Sequence, residues 1–351
     1  MARKIRPEEL KAMRKLKGIS AEKAAAAVGR CTKSWRGYEN AESKVQIPDV
    51  IFSKFLRTFN ITWPYAKVIS ITAYKGGIGK SPITVAVATS FAQTGLKVAV
   101  VANDEVFRSY TETDRQTIKN SKRLSSQVDF YDQHDIVMYP AEIARLEEAN
   151  ERSRNSPSFS SCIDDKEIIS RKKASKLTFD DIKNKYDLVL FDLNRDLYET
   201  LAQSDEIILL VDATCQYSPN STHNYYNHMN KINVDKLDSI HVLFTNFSSI
   251  PSPRGQLDVT RAHKNRIFDS CMFNAHLTLK NYKKIRELKI PTLRSRFSAD
   301  YEYHIELYNS DLKATEFCYF DTIMDIAPNS IASIEVSEVR DELAEILWGR
   351  N

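Results

Sequence analysis

Apolar residues recur along the chain with two different periods. Between residues 7 and 60 they fall three or four apart, the helical spacing. Leu10, Met13 and Leu16 share one face behind Pro7-Glu8-Glu9, and Gly18 stops that helix. Ser20 is placed to cap a second, alanine-dense helix ending at Val28. Gly29 makes a tight turn, and Cys31-Thr32 opens a third helix that ends at Tyr38-Glu39. Pro48 to Phe59 supplies a closing helix carrying Val50, Ile51, Phe55, Leu56 and Phe59. From residue 68 the pattern changes to short continuous apolar runs: 68–73, 97–101, 186–192 and 241–245. Such runs read as strands buried on both faces. Helical stretches lie between them. The chain is therefore expected to be α/β, a doubly wound and mostly parallel sheet preceded by a small all-α domain.

The boundary falls in N-I-T-W-P-Y, where Pro64 breaks periodicity. We assign residues 1–62 to the helical domain, 63–66 to a short linker and 67–351 to the α/β domain. Residues 107–130 are polar and predict no strand, 135–139 a short buried strand, and 140–149 an acidic helix. The stretch 150–176, rich in Ser, Arg and Lys, reads as an exposed insertion. Val336, Val339, Leu343, Ile346 and Leu347 mark a last amphipathic helix that packs on the sheet.

The first strand runs into A-Y-K-G-G-I-G-K-S-P and then an apolar helix. Strand, glycine turn and helix N-terminus together make a phosphate-binding loop. Gly76, Gly77, Ile78 and Gly79 let backbone N–H groups point inward at phosphate oxygens, and the helix adds about half a positive charge there. Lys80 reaches toward the β/γ-phosphates, the Ser81 hydroxyl serves Mg²⁺, and Pro82 falls in the first helical turn, where its missing N–H costs little. At the end of Y-D-L-V-L-F-D, Asp192 is the carboxylate expected beside the loop, holding the metal through water.

The usual loop is G-x-x-x-x-G-K-[ST], and its first glycine is replaced here by Tyr74. K-G-G-I-G-K-S resembles the deviant Walker A motif of the ParA/MinD superfamily of P-loop ATPases. That resemblance implies a slow, partner-stimulated ATPase using ATP/ADP and Mg²⁺. It gives Lys75 the role of crossing a homodimer interface to the partner's nucleotide. The second strand ends A-N-D-E-V, where the family has D-x-D-P-Q. Asp104 matches the second Asp, which helps position the attacking water, and Ala102 replaces the first. Leu193-Asn194-Arg195 stands where T-P-P is usual. The resemblance places Asn246 against the adenine and Ile290-Pro291 at the start of a loop covering its other side. A-Q-S-D-E-I-I-L-L-V-D resembles the family's next strand, and Asp212 at its end lies near the site or serves a turn. The stretch from Ile19 to Glu39 resembles the helix-turn-helix of Cro/repressor-like domains. By that likeness Thr32, Lys33, Ser34 and Arg36 contact DNA, while Trp35 and Tyr38 pack inside. Helix-turn-helix plus deviant Walker A ATPase resembles plasmid partition ATPases of the larger class. Their partners are operator DNA, non-specific DNA held by basic residues such as Lys283, Lys284 and Arg286, and a ParB-like centromere-binding protein. The alternative is a nucleotide-sensing transcriptional regulator with little turnover.

Charge sharpens the division. Residues 1–66 hold 14 Lys/Arg and 6 Asp/Glu, a net +8, against −4 for the remainder. A basic module on a mildly acidic body suits nucleic-acid contact. The five cysteines are scattered and never in C-x-x-C spacing, against disulfides, zinc or a bridging iron–sulfur cluster, and most are expected to be buried. The histidines show no metal spacing and are read as structural. No apolar run approaches the ~20 residues needed to span a bilayer. The acidic tail argues against a membrane-lying helix. These features place the protein in the cytoplasm, and the resemblance places it on the nucleoid.

Overall fold

The computed structural model describes the chain except residues 1–4, 6, 17, 41, 44, 60, 62–65, 75, 140, 155–164, 176, 194–202, 233–238, 249–260, 299–318 and 349–351. It divides into two compact units, Met1–Tyr65 and Ala66–Asn351.

The first unit holds helices α1 (Pro7–Leu16), α2 (Ala21–Val28), α3 (Thr32–Tyr38) and α4 (Asp49–Thr58). Ser20 caps α2 by accepting from the Lys23 N–H, and Gly29 ends it in the left-handed region at φ 72°. Trp35 is fully buried and stacks on Phe55, their centroids 4.8 Å apart. The face of α1 also carries a buried cation. Arg14 donates to Glu39 at 2.6 and 2.9 Å and to the Ile19 carbonyl at 2.6 Å, and Trp35 Nε1 donates to the same Glu39 carboxylate. Burial of this charge is compensated by a bidentate pair.

The second unit is built on six parallel strands: β1 (Lys67–Thr72), β2 (Val98–Ala102), β3 (Val128–Asp132), β6 (Leu188–Asp192), β7 (Glu206–Asp212) and β8 (Ile240–Thr245). Their order is β3-β2-β6-β1-β7-β8. Side chains alternate between two cores. Val98, Val100, Leu188, Leu190, Ile69 and Ile71 face one, and Ala99, Val101, Val189, Phe191 and Val68 face the other. Both faces are covered, so the strands are apolar throughout. Helix α5 (Lys80–Gln93) is buried from Ile83 to Ala92, because one side lies on the sheet and another under the last helix, α14 (Ile331–Trp348). In α14, Val336, Val339, Leu343 and Leu347 are buried, and Ile346 is half-buried.

Three expectations are corrected. Residues 107–130 contain structure: after helices α6 (Glu105–Ser109) and α7 (Glu112–Lys119), β3 forms the edge of the sheet. Its aspartates mask the alternation. The short strand is only β4 (Ile136–Val137), paired with β5 (Leu177–Thr178), which leads into α10 (Phe179–Lys185). The stretch 150–176 is not an exposed insertion where it is described. Helix α8 (Glu142–Arg154) runs into it, and α9 (Asp165–Ser175) buries Lys172 against Glu142 and the Ile136 carbonyl. Arg171 binds Asp135 at 2.8 Å and Asp132 at 3.1 Å. Arg171 and Lys172, which look solvated in the sequence, are matched to buried or part-buried carboxylates, while Lys173 pairs with the exposed Glu147. Residues 155–164 lie outside the described residues.

Beyond β7 come α11 (Ser218–Ile232) and α12 (Arg261–Glu287), and α13 (Ile323–Ile326) precedes α14. Residues 291–297 do not leave the sheet as a free loop. Leu293 N–H donates to the Val242 carbonyl and Phe297 N–H to the Phe244 carbonyl, both at 2.9 Å, so the segment follows the β8 edge.

Candidate nucleotide-binding site

All six parallel strands point their carboxyl ends the same way, and the chemistry gathers there. β1 ends at Thr72 beside β6, and the chain turns through Ala73 to Gly79 into α5. Gly77 and Gly79 have φ 71° and 79°, the left-handed region that any side chain would strain. Gly79 is the N-cap of α5, and its carbonyl accepts the first helical bond from Ile83 at 3.0 Å. Ile78 is buried and anchors the loop, while Gly76 and Gly77 are exposed. Ser81 and Pro82 sit half-buried in the first turn of α5. Lys75 lies outside the described residues.

Register brings the Walker-type carboxylate to this loop. Asp192 ends β6, pairs in register with Ala102 and is fully buried. Its Oδ1 takes the Lys80 ammonium, and its Oδ2 accepts from the Tyr319 hydroxyl at 2.7 Å. Tyr319 is a residue that sequence reading missed. It stands in F-C-Y-F-D, 127 positions downstream, with no motif to flag it. Burial, then the Asp192 charge, hold its hydroxyl protonated well above the usual phenol range.

A cleft of ≈ 860 Å³ opens over the loop, lined by residues from Ala73 to Pro82, by Asn103, Asp104, Glu105 and Val106, and by His134 and Leu193. Beside it a second hollow of ≈ 570 Å³ lies between Ser81, Pro82, Asp104, Ser109 and Tyr319. Asp104 therefore faces the loop, and it also caps α6 through the Val106 N–H at 2.9 Å. His134 is the second missed residue. Its Nδ1 lies 2.8 Å from Asp132 Oδ1, and Asp132 ends β3 in register with Ala102. Burial pushes the Asp132 carboxyl up, but bonds from His134 and the nearby Arg171 charge outweigh it and bring it to about 2.

Asn246 follows β8 in the left-handed region at φ 51° and is not among the residues lining the loop cleft. Asp212 serves a turn, accepting from the Thr214 N–H and hydroxyl at 3.0 and 2.9 Å. On α12, Lys283 and Arg286 are exposed and Lys284 is half-buried. Arg286 stacks over the Tyr282 ring at 5.8 Å, and Arg294 is engaged by Glu342 and Glu345. On α3, Lys33 and Arg36 are exposed and Thr32 and Ser34 half-buried, while Arg36 pairs with Glu22 at 2.8 Å. Trp35 and Tyr38 are buried. Of the cysteines whose side chains are described, Cys31 is exposed and Cys215 half-buried; Cys162, Cys271 and Cys318 lie outside them. No helix among the described residues is long and apolar enough to cross a membrane.

The donor set fits Mg²⁺. A serine hydroxyl and a carboxylate are hard oxygen ligands, and Mg²⁺ keeps several waters and substrate oxygens rather than an all-protein cage. Among the described residues no group of three or more His, Cys, Asp or Glu could hold a metal by itself.

A family model described as an AAA domain matches residues 66–242. No curated protein matches the chain. The chain is similar to a ParA family ATPase from Chlorobium tepidum, at 14% identity over 80% of this chain and 99% of that one, with a TM-score of 0.40. It is similar to the MinD cell division protein of Aquifex aeolicus, at 14% identity over 79% and 96%, with a TM-score of 0.42. It is also similar to a plasmid partition protein of Borrelia burgdorferi, at 16% identity over 61% and 98%, with a TM-score of 0.31.

Proposed function

The chain belongs to the AAA-domain family, and from that premise we propose that it is a nucleotide-hydrolysing P-loop protein, a ParA-type ATPase that partitions DNA. The observation that carries the reading is the loop itself: left-handed glycines, a helix N-terminus behind them, and Lys80 against a buried strand-end carboxylate. On this reading the backbone N–H groups of Gly76 to Lys80 cradle the phosphates of ATP. Lys80 moves from Asp192 to the β/γ-phosphates, a charge for which its resting partner is a placeholder. Ser81 and Asp192 hold Mg²⁺, Ser81 directly and Asp192 through water. When bound, Mg²⁺ neutralises charge developing on the phosphate oxygens. Asp104, at the rim of the cleft, orients the attacking water, and Asn246 is assigned to the adenine.

Lys75 completes the partner's site in an ATP-dependent homodimer, the role its position in K-G-G-I-G-K-S suggests. Lys283, Lys284 and Arg286 hold non-specific DNA. Thr32, Lys33, Ser34 and Arg36 contact operator DNA for autorepression, supported by the basic charge of the helical unit. A ParB-like partner stimulates turnover. The capping role of Asp104 and the alanine at 102 favour slow hydrolysis, and they also favour a second reading, a nucleotide-sensing regulator with little turnover.

Light scattering without nucleotide, with ADP, and with a slowly hydrolysed ATP analogue plus Mg²⁺ tests the proposal. The partition reading predicts an analogue-driven dimer that binds non-specific duplex and is lost in Lys75→Ala. One oligomeric state under every condition, with DNA binding confined to the first 65 residues, favours the regulator.

A further inference from the structure

We infer that Tyr319 is a positioning residue of the nucleotide site: its hydroxyl anchors Asp192 so that the carboxylate keeps its orientation when Lys80 leaves it for phosphate. The inference rests on the ATP-binding reading above and adds a residue to it.

The argument begins with the carboxylate. Asp192 has no solvent exposure, so its charge depends on protein donors. Lys80 serves Oδ1 and Tyr319 serves Oδ2. A lysine cannot neutralise Asp192 and a triphosphate at once. When it moves, a buried carboxylate with no other fixed donor would be free to follow it or to rotate. Tyr319 removes that freedom. A phenol donates one hydrogen bond without cancelling the negative charge, and it holds Oδ2 while Oδ1 still faces the loop.

Tyr319 is itself fixed. It is 2% exposed, and its ring lies 5.2 Å from Phe107, 5.4 Å from Phe320 and 6.1 Å from Phe130, centroid to centroid. The two residues that follow it are tied down, one through its backbone carbonyl and one through its side chain. Ser125 Oγ donates to the Phe320 carbonyl at 2.7 Å, and Arg123 Nε donates to Asp321 at 2.9 Å. The hydroxyl is thus held by packing from β3 and α6 and by hydrogen bonds from residues 123–125, none of which belongs to the phosphate loop. Partners of this kind around a metal site typically matter roughly 10–100-fold in metal affinity.

The test uses the full chain and the fluorescent probe N-methylanthraniloyl-ADP, titrated in EDTA and in Mg²⁺. Tyr319→Phe keeps the ring and deletes the hydroxyl. Its affinity in EDTA is expected within about twofold of wild type, and its gain in affinity on adding Mg²⁺ is expected to shrink by at least ~10-fold. Phe91→Leu, a core substitution that packs on Trp348 and makes no ring contact with Tyr319, is the packing control, expected to lower the melting temperature and leave the Mg²⁺ gain unchanged. In the Asp192→Asn background, which also relieves the buried charge should Tyr319→Phe alone be unstable, adding Tyr319→Phe is expected to change nothing further. An unaltered Mg²⁺ gain in Tyr319→Phe overturns the inference, and so does an equal loss in EDTA and Mg²⁺. If wild type binds no probe in either buffer, the nucleotide-site reading itself falls, and the inference with it.

Discussion

Lys80→Met isolates the buried ion pair at the centre of the site. The substitution keeps most of the apolar stem and removes the ammonium. The Lys80 side chain is 13% exposed and that of Asp192 0%, so the carboxylate left behind has no route to water. Removing one partner of a buried pair costs roughly 3–5 kcal/mol. Tyr319 still donates to Oδ2, which places the cost at the lower end, about 3 kcal/mol. At roughly 2–4 °C per kcal/mol for a domain of this size, the α/β unit should melt about 6–12 °C lower. The assay is scanning calorimetry of nucleotide-free protein in EDTA. Lys80→Met/Asp192→Asn carries no buried charge and should recover most of the loss, to within about 1 kcal/mol of wild type. Equal melting of Lys80→Met and wild type would refute the reasoning, because the pair would then not exist in the nucleotide-free protein. A double variant no more stable than the single one would refute it too.

Other outcomes follow from the same structure. Gly79→Ala forces an L-residue to φ 79° while its Cβ meets only Ile83 Cδ1 at 3.8 Å, so the cost is backbone strain of about 1–2 kcal/mol. Calorimetry should show a lower melting temperature, and probe titration weaker binding. Asp132→Asn should cost about 2 kcal/mol at pH 7, the worth of a carboxyl held at about 2 against an ordinary 3.8. Because the folded value is depressed, that stability is present above the ordinary carboxyl range and is lost as pH falls from about 4 to 2. Urea unfolding at pH 7 and pH 2.5 should therefore show the difference and then lose roughly two-thirds of it. Glu39→Ala strands Arg14 and Trp35 Nε1 in the core of the helical unit, and circular dichroism should record a loss of roughly 3 kcal/mol there.

The glycine loop was readable because strand, turn and helix are contiguous and each has its own chemical signature. Asp192 was readable for the same reason, an apolar run closed by one carboxylate. Tyr319 was not, since a tyrosine in an aromatic tract looks like core, and its partner lies across the fold. β3 was hidden by V-D-F-Y-D, whose aspartates serve His134, Arg171 and Lys119 rather than solvent alone. Arg171 and Lys172 misled in the opposite direction. A basic run reads as solvated surface unless the matching acids, here Asp132, Asp135 and Glu142, are known to be its neighbours in space. Arg14, on the face of α1 between Leu10 and the turn at Gly18, belongs to the same class. Local pattern carried the parallel sheet and the loop, and long-range charge pairing carried what the pattern could not.

The most direct test of the account is inorganic phosphate release from ATP by the purified full chain, with Mg²⁺, beside Lys80→Ala. The account predicts slow release by wild type above a no-protein control and none by Lys80→Ala. Release that is equal in the two proteins, or absent from wild type even with DNA and partner present, would contradict the assignment of the Gly76–Ser81 loop and Asp192 as an ATPase centre.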